Sequence, residues 1–238
     1  MARIFDKNMF VMLLSVMIGV IVITFFVADI LKNSELEQQA EEYEVEIEDI
    51  QTRNLNLLSN ILSSIGDLIR SNNYRTEGNY HFDLATIWYS TALSETNLTE
   101  MENYKSLIYS ACEDAAFNYN LSNVNYEVAN IKFQSVLSQS TEEFYDLISL
   151  YVNLTAKGSE LAGLRVDSSK YLRYLAENMT IKNNSVTFAT NMTDIQEFFN
   201  NTEGLIQDLE ILYNELEEEI EREYNIIGFS EIREIEIG

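Results

Sequence analysis

The first pattern along the chain is an unbroken apolar one. Met9 to Ala28 runs for 20 residues without a charge, and Ser15 and Thr24 are its polar members. At 1.5 Å per residue it covers about 30 Å, the hydrocarbon thickness of a bilayer, and so predicts a membrane helix. The alternatives are a buried core helix and a cleaved signal peptide. A secretory apolar core spans only about 7–15 residues and ends at a small-x-small site. Here Phe26-Val27-Ala28 puts a bulky residue where a small one is needed. The run therefore reads as a retained signal anchor over residues 9–31, preceded by a short tail at residues 1–8.

The period changes at Leu36. Leu36, Tyr43, Ile50 and Leu57 fall on heptad d positions, and Ala40, Ile47, Asn54, Ile61 and Leu68 on a positions. Four to five such repeats predict a coiled-coil-like juxtamembrane helix over residues 32–70. Its seam between copies comprises Leu36, Tyr43, Ile47, Ile50, Asn54, Leu57 and Ile61. An amide at an a position, as at Asn54, sets register and strand number at some cost in stability. From Leu57 the stripe widens to take in Leu58, Leu62, Ile65 and Ile69, which suits a helix packed in a bundle. The alternative is that the whole segment is simply the first bundle helix, packed on its own chain.

Residues 71–238 read as an acidic helical ectodomain. Ser71 to Tyr80 (SNNYRTEGNY) is rich in Asn and contains Gly78, which predicts a loop. Helical periodicity follows at about 82–94, 99–118, 124–139, 141–156 and 159–178, with a further break possible at Ser168-Ser169. Thr99 with Glu102 and Ser140 with Glu143 have capping-box spacing at two of these starts. Residues 181–193 (IKNNSVTFATNMT) predict a loop or short β-hairpin. A last helix runs from about Asp194 to Tyr224, with Phe198, Leu205, Leu209, Leu212, Leu216, Ile220 and Tyr224 as its apolar series. The tail alternates Ile with charge from Ile232 to Ile237, a strand or a frayed helix.

Composition sharpens this into an all-α fold class: an N-terminal transmembrane helix, a helical stalk and an extracellular helical bundle. The 238 residues include no proline and only 8 glycines, so connections are short and helices dominate. The net charge is −24, the wrong sign for nucleic acid. Arg3 and Lys7 precede the apolar run and acids follow it, so the positive-inside rule places the N-terminus in the cytoplasm and the remainder outside. Residues 33–238 carry a net −25 and stand away from anionic headgroups. Seven Asn-x-Ser/Thr sequons, at Asn97, Asn120, Asn153, Asn178, Asn183, Asn191 and Asn200, are about twice what composition gives by chance and mark N-glycosylation acceptors. A cysteine-poor, sequon-rich exterior fits an archaeal cell surface better than a eukaryotic secreted domain, which tends to use disulfides.

Reactive constellations are sparse. Cys112 is the single cysteine and lies beside Glu113 and Asp114, acids that oppose a thiolate, so it reads as a core residue. His81 is the single histidine and could pair with Asp83, but one His without a nucleophile makes no triad and a poor zinc site. The acids from Glu215 to Glu223 are spread around a helix and read as a solvated face. No cofactor, metal site or enzymatic activity is expected, and no signature of a known family is present. The chain reads as a single-pass surface protein that contacts the bilayer through residues 9–31 and associates with copies of itself or another surface protein. An extracytoplasmic ligand-binding or sensory module acting through a membrane partner is the alternative.

Overall fold

The computed structural model describes residues 17–20, 23, 37–140, 142–188 and 192–226. Four long helices, α1 (Glu37–Leu93), α2 (Leu98–Leu137), α3 (Glu142–Glu177) and α4 (Thr193–Ile226), form an antiparallel bundle. Between α3 and α4 lies a hairpin of β1 (Met179–Lys182) and β2 (Ser185–Phe188). The protein is thus mainly helical. Among the described residues no helix is long and apolar enough to cross a membrane. Met9–Ala28 lies outside the described residues except at 17–20 and 23, and the Ile232–Ile237 tail lies wholly outside them.

Consecutive helices pack side by side, α1 on α2, α2 on α3 and α3 on α4, with α1 also touching α3 across the bundle. The helix α4 meets α1 through long side chains, Tyr213 reaching Asn72. Contacts from Lys132 to Ser63 and from Ser122 to Ser71 fix the antiparallel register of α1 and α2. In that register α2 ends opposite about residue 58 of α1. Residues 37–56, about 30 Å of helix, therefore extend past the bundle end. In this extension Ile50 and Leu55 are exposed, and Arg53 pairs with Asp49.

Ser71–Tyr80 is not the expected loop but the middle of α1, which passes residue 70 unbroken. Ser71, Asn72 and Asn79 bond to other helices, while Asn73, Thr76 and Glu77 are exposed. Ser71 donates to the Asp67 carbonyl four residues back, and its own carbonyl accepts from buried Ser122. The expected breaks near 118–124, 156–159 and 168–169 also fall inside continuous helices. The reason is the same: Ser159 donates to Asn123, and Ser168 to Glu203. These hydroxyls and amides bond across the bundle, so they need no turn to satisfy them.

Real connections are short and chemically explicit. After α1, the Glu95 carboxylate accepts from the Thr96 and Asn97 amides, and Asn97 then caps α2 by accepting from Thr99 N at 2.9 Å. The cap is Asn97, not Thr99. The hairpin turn is Asn183-Asn184, with φ of 55° and 59°, the positive values that a two-residue type I′ turn requires. Ile181, Val186 and Phe188 pack with Trp88 over the core at this end, and Lys105 donates to the Met179 carbonyl. The hairpin thus closes the bundle end opposite the α1 extension.

On α4 the inward face is Ile206, Leu209, Tyr213 and Ile220, whereas Phe198, Leu205 and Leu212 are exposed. The expected apolar series is rotated because Tyr213 turns inward to Asn72. Two glycines are shaped by similar demands. A Cβ on Gly78 would lie 2.7 Å from Tyr119 Cδ1, and one on Gly158 would collide with Tyr126 Cε1.

Gly78→Ala and Gly158→Ala are expected to destabilise the protein by about 1–3 kcal/mol through overpacking, despite alanine's higher helix propensity. Gly66 and Gly163 have nothing within 4 Å of a built Cβ, so alanine there should stabilise by about 0.5–1 kcal/mol. Denaturant midpoints followed by circular dichroism check both signs.

Candidate functional site

The middle of the bundle holds a buried polar belt between two apolar clusters. One cluster, centred on Phe82, Met101, Ile108 and Leu172, lies toward the hairpin. The other, with Leu68, Phe133, Tyr151 and Leu154, lies toward the α1 extension. In the belt, Tyr119 donates to Asn79 Oδ1 at 2.7 Å, and Tyr126 donates to Asn72 Oδ1. Tyr213 also donates to Asn72 Oδ1, at 3.0 Å, and lies 3.2 Å from the Tyr126 hydroxyl. Arg75 stacks on the Tyr213 ring, 4.2 Å from its centroid. Burial works against the Arg75 charge, but Tyr126, Tyr213, Glu217 and Glu210 raise its pKa above the ordinary arginine value.

A second ionic group completes the belt. Arg165 bonds Glu210 at 2.8 Å and Glu203 at 3.3 Å, and Ser168 donates to Glu203. Nearer the α1 extension, buried Asp67 pairs with Lys132 at 2.5 Å and Arg70 at 3.1 Å. The two terminal nitrogens of Arg165 are paired while its buried Nε has no hydrogen-bond partner, and tyrosine rings are pressed on Gly78 and Gly158 between the helices. The arrangement locks helices together.

The other candidates are dispersed. His81 lies 3.4 Å from Glu77 and 4.0 Å from Asp114, rather than pairing with Asp83. Cys112 is buried, and burial pushes its thiol up to about 12, with Arg173 pulling the other way and Glu177 adding to the rise. Among the described residues no group of three or more His, Cys, Asp or Glu converges to hold a metal ion. Of the expected seam, Leu36 and the side chains of Tyr43 and Ile47 lie outside the described residues. Ile50 is exposed, Asn54 and Leu57 are half-buried, and Ile61 packs against the lower apolar cluster of its own bundle.

The sequons separate by backbone setting. Asn97 caps α2, Asn178 follows α3 and Asn183 forms the hairpin turn, all at the bundle end away from the α1 extension. Asn120, Asn153 and Asn200 stand within helices, and the hydroxyl residues of the first two sequons, Ser122 and Thr155, are fully buried. Asn191 lies outside the described residues. Missed in the sequence were Asn72, Asn79, Tyr119, Tyr126 and Tyr213. The signal that could have found them is the shared seven-residue spacing of the two asparagines and of the first two tyrosines. Comparison with protein-family models, curated proteins and solved structures finds no match.

Asn72→Leu should cost about 2–4 kcal/mol, because it leaves the Tyr126 and Tyr213 hydroxyls buried without their shared acceptor. Tyr126→Phe should cost less, about 1 kcal/mol, since it removes the donor together with its need. Urea unfolding of the two variants checks this order.

Burial raises the Tyr119, Tyr126 and Tyr213 pKa values above that of a free phenol. The unfolded chain ionises these groups near pH 10, while the folded chain holds their protons to higher pH. Their stabilisation is therefore complete below pH 10 and lost as pH rises above it. Cys112 adds the same sign from about pH 9. Urea midpoints should fall between pH 9 and 11, and Tyr126→Phe should flatten that fall.

Proposed function

We propose that the chain is a membrane-anchored, surface-exposed structural or interaction protein, with residues 9–31 as its anchor and the bundle outside the cell. The observation that carries this reading is the continuity of α1. The helix begins shortly after the uncharged run Met9–Ala28 and holds the bundle about 30 Å beyond the point where its neighbours end. That is the plan of a stalk. The part of its heptad seam that lies beyond the bundle, Leu36 to Asn54, is the proposed contact between stalks of neighbouring copies, while Ile61 packs within its own bundle. The tyrosine rings packed onto Gly78 and Gly158 in the middle of the bundle support this role over a ligand-binding module, which needs a cavity with convergent polar groups.

The sequons fit the same orientation. Asn97, Asn178 and Asn183 lie at the end farthest from the proposed membrane, where a glycan projects freely. Asn97 and Asn183 lie on connections, the setting an acceptor asparagine favours. An acidic surface also suits a body held clear of anionic lipid.

Protease added to intact cells is expected to digest a C-terminal epitope tag and spare an N-terminal one. A protected C-terminal tag would refute the orientation and, with it, the surface role.

A further inference from the structure

The outer face of α2 carries a second apolar seam that the bundle does not use. Phe117, Leu121, Val124, Val128 and Ile131 recur at alternating spacings of four and three, the heptad period. Leu121 is half-buried, whereas Phe117, Val124, Val128 and Ile131 are 64%, 55%, 38% and 67% exposed. They lie opposite the core-facing positions Ala115, Tyr119, Ser122, Tyr126 and Ala129. Single exposed apolar residues are ordinary, but a contiguous stripe marks a contact surface.

Charge is missing from the same stretch. Residues 115–140 hold Glu127 and Lys132 as their only charged side chains, in a chain of net charge −24. The helix α4, by contrast, has eleven acidic residues and one basic one. Two copies meeting through α4 would bring like charges together. Meeting through α2, they would not.

The flanks of the stripe complement themselves. Phe117, Val124 and Ile131 occupy d positions, and Leu121 and Val128 occupy a positions. In a parallel pair, each g residue then faces the partner's e residue five positions on. Asn120 meets Asn125, Glu127 meets Lys132, and Gln134 meets Gln139: amide to amide, acid to base, amide to amide. Lys132 already donates to Asp67 and Ser63, and its ammonium carries a third donor.

We propose that α2 docks in parallel along the α2 helix of a second copy, with the stripe from Phe117 to Ile131 as the buried seam. This rests on the reading of the chain as an interaction protein and names a second copy as the partner. Parallel docking points both stalks the same way, as one membrane requires. Asn120 lies on the flank of this seam within a sequon, yet its Ser122 is fully buried and donates to the Ser71 carbonyl at 2.9 Å. The hydroxyl an acceptor site needs is therefore withheld once the chain folds, and the seam stays bare.

The test uses the full-length chain in native membranes, with Cys112→Ser as background and a short bis-maleimide as probe. Val124→Cys should give a cross-linked dimer, and Asp208→Cys on the acidic helix should not. Adding Glu127→Lys should lower the Val124→Cys dimer yield severalfold. In detergent, co-purification of differently tagged copies should fall roughly tenfold or more with Val124→Glu, which strips a buried apolar contact from both partners. Circular dichroism verifies that each exposed-site variant folds. Absence of the Val124→Cys dimer in a folded chain overturns the proposal, as does equal cross-linking at Asp208, an adduct with a protein of another mass, or a glycan on Asn120. The cross-linking and co-purification readouts do not depend on which side of the membrane the bundle occupies, which the protease experiment reports separately.

Discussion

Two phenols on one helix need acceptors on another, and that need fixes how the bundle is assembled. Tyr119 and Tyr126 are seven residues apart on α2, and their partners Asn79 and Asn72 are seven residues apart, in reverse order, on α1. An apolar seam of heptad period tolerates slippage by one heptad, because one apolar layer replaces another. Here such a slip either sets Tyr126 against Ile65 or sets Asn72 against Phe133, and both leave a buried polar group unpaired. Each orphan costs about 1–3 kcal/mol, a large share of the stability of an ordinary domain. Gly78 and Gly158 add a steric lock, since each is notched to fit one tyrosine ring. Tyr213 brings α4 to the same asparagine, so a single side chain, Asn72, orients three of the four helices.

This lock explains which parts of the fold could be read from the sequence. The helical class followed from missing prolines and 3.6-residue periodicity, whereas residues 181–193 were legible only as a loop or short hairpin, which the structure forms at 179–188 around Asn183-Asn184. The segment SNNYRTEGNY misled because Asn and Gly favour turns when nothing else engages them. Gly in a helix interior costs about 1 kcal/mol relative to Ala, and Asn somewhat less. Those costs are local, whereas the compensating bonds to Tyr119, Tyr126 and Ser122 come from residues 40 to 54 positions away. Local propensity cannot register a partner that distant. The rotated face of α4 has the same origin, because hydropathy ranks Leu212 above Tyr213 while hydrogen bonding reverses that order.

Charge is distributed as unevenly as the polar contacts. The helices α2 and α4 occupy opposite corners of the bundle, since α2 packs on α1 and α3 while α4 packs on α3 and reaches α1. The neutral half of α2 and the acidic α4 therefore face away from each other. Between exposed like charges, repulsion is weak per pair and screened beyond about 8–10 Å at physiological ionic strength. Over a helix with eleven acids it would still disfavour the approach of a second copy through that face.

A chain with two separate self-contacts has a geometric consequence. The stalk seam proposed on α1 and the docking seam proposed on α2 lie on different helices, and α1 is itself packed on one flank of α2. One two-fold axis therefore cannot serve both. Each contact is isologous when taken alone, and each would close a dimer. With both axes parallel to the stalks, successive two-folds would combine into a translation, so chains making both proposed contacts would extend as a row instead of closing. Stalk contacts would then join copies within pairs, and α2 contacts would join pairs along the row. The acidic α4 faces would be left on the outside of such a row.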